Sequence, residues 1–142
     1  GAQYPYRFPY TGRFRFRKHY YPRPGDLDPD DRSEETACAI ELDGLDAVRH
    51  WVRNLERQPS SFWLPTSTDR FYPDFVAELT DGRLFVVEYK GGHLYSAADA
   101  KEKRDIGKVW AAASGGRCLF AMVTDATTAA RSVAAQLRGA MG

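Results

Sequence analysis

Apolar positions along this chain follow two spacings. From Phe75 to Leu79 and from Leu84 to Tyr89 they gather into runs of strand length, separated by Thr80-Asp81-Gly82, a hairpin signal. The second run is apolar almost throughout, as a strand covered on both faces would be. Cys118 to Thr124 (CLFAMVT) reads as another buried strand and Phe62-Trp63-Leu64 as a short one. Elsewhere the spacing is helical. Ser33 is a good N-cap with Glu34 and Glu35 in the first turn; Cys38, Ala39, Leu42 and Leu45 form the apolar stripe, and Gly44 lies near the end. Ser96, with Asp99 three residues on, opens a second helix whose expected buried face is Ile106, Val109, Trp110 and Ala113, and which Gly115-Gly116 ends. A final helix is predicted from about Thr127 to Leu137, while residues 46–54 fit either a strand or a helical turn. This order predicts an α/β sandwich around a small mixed sheet flanked by helices.

Composition adds bounds. With 142 residues, 43% hydrophobic and 27% charged, the chain fits one soluble domain with a proper core. No apolar run approaches the roughly 20 residues that span a bilayer, so no membrane association and a cytoplasmic location are expected. Cys38 and Cys118 lack metal-ligand spacing and are expected to be reduced core residues. The chain opens on Gly1, not methionine, and is expected to be a piece of a longer polypeptide.

Charge is unevenly placed. Residues 1–24 carry six Lys/Arg, no acid and eight of the nineteen aromatics, whereas residues 25–46 carry nine Asp/Glu against one Arg. Residues 1–32 therefore read as a basic and aromatic β extension with an acidic loop, packed on a core of residues 33–142. In the extension Arg13, Phe14, Arg15, Phe16 and Arg17 alternate strictly, so a strand would put guanidiniums on one face and rings on the other. The arginines then face either phosphates or solvent along a sheet edge.

The chemistry sits between Phe71 and Gly92. On a strand, Glu88 and Lys90 share a face. Antiparallel pairing about the Thr80–Gly82 turn sets opposite each other residues whose numbers sum to about 162, which places Asp74 beside Glu88. Two carboxylates that close repel, and a divalent cation is the usual remedy. Oxygen ligands favour Mg²⁺ or Mn²⁺, which typically keep bound water, a ready nucleophile for a phosphodiester, while Lys90 can orient it or stabilise charge on phosphorus.

Pro73-Asp74 followed by Glu88-Tyr89-Lys90 resembles the PD-(D/E)xK signature of the restriction-endonuclease-like superfamily. Glu35 to Ala39 (ETACA), Trp51 to Asn54 (WVRN) and Phe71 to Gly91 look more closely like the C-terminal nuclease domain of type III restriction-enzyme and helicase Res subunits. The resemblance implies a restriction-endonuclease-like core and a Mg²⁺-dependent DNA endonuclease. It also implies a helicase/ATPase domain in the same parent chain and a methyltransferase subunit or transient dimer as further partners. Asp74 and Glu88 would be metal ligands, Lys90 the catalytic lysine, and the Tyr89 carbonyl a further ligand. The superfamily often adds a helix glutamate; Glu35, in line with Ala39 and Leu42, is preferred over Glu34.

Lys101, Arg104 and Lys108 form a basic helix stripe that either holds DNA or is solvated, and Arg53 and Asn54 either contact phosphate or cap a turn. Trp51, Trp63 and Trp110 are expected in the core. His19, His50 and His93 form no ligand-spaced pair, although His93 follows the Lys90 segment closely. The competing readings are a non-cleaving nucleic-acid-binding module of the same fold and a structural domain with an Asp74–Lys90 salt bridge.

Overall fold

The computed structural model describes residues 3–91 and 96–142. Helix α1 (Glu34–Asp43) leads into strand β1 (Val48–Arg53), a two-stranded excursion β2 (Leu64–Pro65) and β3 (Arg70–Phe71), and the hairpin β4 (Phe75–Leu79) and β5 (Leu84–Tyr89). Helix α2 (Ala97–Ala113), strand β6 (Cys118–Val123), the short α3 (Ala126–Ala129) and α4 (Val133–Ala140) complete the chain. The main sheet runs β1-β4-β5-β6, antiparallel except for the parallel pair β5 and β6, so it is mixed and flanked by helices as expected.

Strand parity sorts the two faces. Trp51, Phe75, Ala77, Leu79, Phe85, Val87 and Val123 form the main core with Cys38, Ala39 and Leu42 of α1 and Leu137 of α4. Val86, also fully buried, and its neighbour Phe120 point the other way, towards α2. There the helix approaches through its small residues Ala100 and Gly107. A Cβ on Gly107 would stand 2.4 Å from the Phe120 ring, so glycine is what allows the close approach. This corrects the expected buried face, because Val109 is 69% exposed and Ala113 is exposed too.

The N-terminal extension departs from expectation. Its ladder contacts amount to two isolated bridges, Pro9 with Gly25 and His19 with Trp51, and residues 13–17 form no strand. Their backbone is instead held by side chains. The Phe14 N–H donates to the Tyr10 hydroxyl (3.0 Å), and the Arg17 and Lys18 N–H groups donate to Asp43 (3.1 and 2.9 Å), which also accepts the Trp51 indole N–H (2.8 Å). These donors satisfy a carboxylate that is only 2% exposed. The alternation itself survives, with Arg13, Arg15 and Arg17 exposed and Phe14 and Phe16 packed on the core.

Other boundaries shift. The predicted last helix is two, parted at Ala130 in a left-handed conformation (φ 54°), after which Ser132 caps α4 through the Ala135 N–H. Trp63 is 40% exposed against the Arg70 guanidinium, 4.1 Å from its ring centre, whereas Trp51 is fully buried and Trp110 half-buried. Cys38 is buried and Cys118 half-buried, both free. No helix among the described residues is long and apolar enough to cross a membrane.

Candidate active site

Antiparallel order makes the C-terminal ends of β1 and β5 coincide with the start of β4, and the first turn of α1 reaches the same edge. Asp74 sits immediately before β4. Phe75 pairs with Val87 and Val76 with Val86, the register expected from the turn, so Asp74 lies across from Glu88. The strands then hold each other's carboxylates by main-chain donors. The Asp74 N–H donates to Glu88 Oε1 (3.1 Å), and the Tyr89 N–H donates to Asp74 Oδ2 (2.8 Å). Glu88 is 5% exposed, an uncommon place for a carboxylate without a task or a partner.

Glu35 completes a cluster of three. Its carboxyl hydrogen-bonds Asp74. Burial first, then the Asp74 charge and that hydrogen bond, push the Glu35 carboxyl up to about 8. Asp74 moves the other way. Burial raises it, but the Glu35 hydrogen bond, the Arg53 charge, Glu88 and the Tyr89 N–H together hold it below the usual carboxylate range. One proton shared between neighbouring carboxyls relieves their repulsion. Glu34, exposed on the helix, stands outside this exchange.

Arg53, at the end of β1, is the residue whose role the sequence left open. Its guanidinium bridges Glu35 Oε2 (2.9 Å) and Asp74 Oδ1 (3.0 Å) and donates to the Asp26 carbonyl (3.1 Å). Its side chain is 12% exposed. Arg53 is thus an internal counter-ion, not a free phosphate contact. Asn54 is structural: its amide donates to the Phe62 and Pro73 carbonyls (2.8 and 2.9 Å) and accepts the Phe62 N–H (3.0 Å), pinning the excursion after β1. His19 supports Arg53 from behind. Its Nε2 accepts the Arg53 N–H (3.0 Å), which leaves the ring proton on Nδ1 to donate to the Tyr21 carbonyl (2.9 Å). Burial lowers its pKa to about 4, so the ring is neutral.

No protein-family model, curated protein or solved structure matches the chain. What the cluster can do follows from its own chemistry.

The carboxylates open into a cavity of about 580 Å³. Its described lining carries Arg7, Arg53, Arg57, Arg70 and Lys103 against eight acids, an excess of negative charge. Carboxylates are hard oxygen donors of the kind Mg²⁺ or Mn²⁺ takes, and Arg53 already places one positive charge between Glu35 and Asp74. Among the described residues no group of three or more His, Cys, Asp or Glu is arranged so that it could hold a metal ion; Asp74 and Glu88 accept main-chain N–H groups, and Glu35 and Asp74 pair with Arg53.

Lys90 continues the ladder through its N–H to the Val123 carbonyl (2.7 Å), on the strand face of Glu88. It is half-buried and does not line the cavity. Neither do Lys101, Arg104 and Lys108: Lys101 pairs with Asp105 (2.7 Å), and it is Lys103, on another helix face, that reaches the cavity. Arg13 and Arg15 line a separate cavity and Arg17 neither. His93 lies outside the described residues.

Proposed function

We propose that this protein is a metal-dependent nuclease domain that hydrolyses phosphodiester bonds in DNA. The observation that carries the reading is the convergence of Asp74, Glu88 and Glu35 at one sheet edge, the first two held by main-chain N–H donors of Tyr89 and Asp74 and the third by Arg53. Asp74 and Glu88 would hold a Mg²⁺ or Mn²⁺ ion with Glu35 as a further ligand. Such an ion supplies an activated water and neutralises charge on the phosphate oxygens. The β4–β5 hairpin fixes the spacing of the ligands. Glu35, whose carboxyl is raised by burial and by Asp74, would give up its proton on taking its place as a further ligand. Lys90, on the strand face of Glu88 but outside the cavity lining, takes from the resemblance alone the role of stabilising charge on phosphorus.

The excess of acids in the cavity supports a further feature: the scissile phosphate is admitted only together with the cation. The likeness to Res-type nuclease domains extends the proposal to a restriction-endonuclease-like core. It also extends to a parent chain bearing a helicase motor, and to a methyltransferase subunit or transient dimer as partner.

The test is plasmid nicking in Mg²⁺, in Mn²⁺ and in EDTA, with wild type, Asp74→Ala and Lys90→Ala. Metal-dependent nicking by wild type alone is expected. Equal nicking by both variants overturns the site. A thermal-shift titration with Mn²⁺ provides a readout without turnover: wild type should be stabilised and Asp74→Ala should not.

A further inference from the structure

We propose that the cavity lined by Arg13, Arg15 and Arg23 is a binding site for the phosphate backbone of nucleic acid, separate from the carboxylate cluster and independent of metal. This rests on the reading of the protein as a DNA-cutting domain. The cavity measures about 610 Å³, and its described lining holds three guanidiniums and no acid. All three arginines are exposed, and none forms an ion pair among the described residues. In the acidic cleft, by contrast, Arg7, Arg53 and Arg57 are paired with carboxylates. Three unneutralised cations in one concavity favour a ligand with several negative charges, and the planar guanidinium fork matches phosphate oxygens.

The cavity is also built to hold its shape. Tyr10, 6% exposed, packs edge-on against Phe16 (5.0 Å between ring centres), which in turn meets Phe14 (4.8 Å) and Trp51 (5.4 Å). The Tyr10 N–H donates to the Pro24 carbonyl (2.8 Å), which ties the arm carrying Arg23 to the arm carrying Arg13 and Arg15. The Tyr10 hydroxyl meets Asp31 and accepts the Phe14 N–H. Gly12 lets that ring lie against the loop: a Cβ there would stand 2.3 Å from the hydroxyl oxygen. The rings thus fix the backbone while the arginines stay in water, so binding orders side chains but not the loop. An enzyme whose cleft carries excess acid gains most from such a grip, because its cleft repels DNA until a cation arrives.

The experiment is fluorescence anisotropy with a labelled duplex in EDTA across a salt series. It compares wild type, the triple variant Arg13→Ser/Arg15→Ser/Arg23→Ser, its Arg→Lys counterpart, and Lys101→Ser/Arg104→Ser/Lys108→Ser. Each phosphate contact contributes about 0.9 to the slope of log affinity against log salt, so the serine triple should lose about 2.7 of the slope. From a reference of about 1 M, that slope corresponds to binding on the order of 10³-fold weaker at about 50 mM salt. The lysine triple should keep most of the slope, which separates lost charge from lost folding. Unchanged affinity and slope in the serine triple overturn the proposal. So does loss of binding in the α2 variant instead, or preferential uptake of wild type by phosphatidylserine vesicles over duplex. Plasmid nicking by Asp74→Ala, run in parallel, reports separately on the nuclease reading.

Discussion

Two cavities of similar volume, about 580 and 610 Å³, treat arginine in opposite ways. At the sheet edge the Arg53 side chain is only 12% exposed, and its charge is absorbed by Glu35 and Asp74. In the N-terminal segment Arg13, Arg15 and Arg23 stand in water while aromatic packing holds the loop. A buried guanidinium must satisfy the charges around it and becomes part of the scaffold. An exposed one, on a backbone fixed by other means, is left for a ligand. Burial, not residue type, assigns the role.

The sharpest way to break the contrast is Asp74→Ala, which should reduce metal-dependent nicking on the order of 10³-fold without weakening binding of duplex in EDTA. Next is Arg53→Gln. Removing a buried partner should cost about 3 kcal/mol in urea unfolding, and Mn²⁺ should return part of the loss.

His19 joins the two regions, since it belongs to the N-terminal segment and accepts the Arg53 N–H. Its folded pKa, about 4, lies below the unfolded value, so the unfolded chain takes a proton first as pH falls. Stability is therefore fully present above about pH 6.5 and should fall by about 2 kcal/mol between pH 8 and pH 5. Glu35, raised to about 8, acts in the opposite sense and is lost as a stabiliser as pH rises from the unfolded carboxyl range through about 8. Denaturation measured in a Glu35→Gln background isolates the histidine, and His19→Asn should flatten the profile.

Smaller effects test the basic loop. Gly12→Ala should cost about 1–2 kcal/mol by displacing Tyr10 and should weaken binding of duplex in EDTA. Arg15→Ser should change stability by less than about 0.5 kcal/mol, read from the thermal midpoint, yet still lower the salt slope.

The sequence showed best what is local. Asp74 and Glu88 are joined by a short turn, so counting from Asp81 gives their register, and helical spacing puts Glu35 in line with Ala39 and Leu42, four and seven residues on. The role of Arg53 was hidden because its partners lie 18 and 21 residues away. Had residues 48–53 been read as a strand paired with β4, its end would have fallen beside the start of β4. The turn of α2 was misjudged because Ala100 and Gly107, not its larger apolar residues, meet the sheet. Counting hydrophobic side chains overlooks contacts made by the smallest ones. Trp63 misled in the same way, since a ring stacked under Arg70 can stay half in water. In the N-terminal segment alternation predicted the faces correctly and the strand wrongly, because side chains supply the hydrogen bonds that a ladder would have given.

The exchange of main-chain hydrogen bonds between Asp74, Glu88 and Tyr89 has a consequence for how the protein fails. Each carboxylate is fastened by the backbone of the opposite strand, so neither can wander while the hairpin stands. The geometry of the carboxylates and the sheet should melt at one midpoint, with no folded intermediate in which the carboxylates have come apart. The Asp74 and Tyr89 amides would then exchange with deuterium among the slowest in the chain, two markers that read fold and site together.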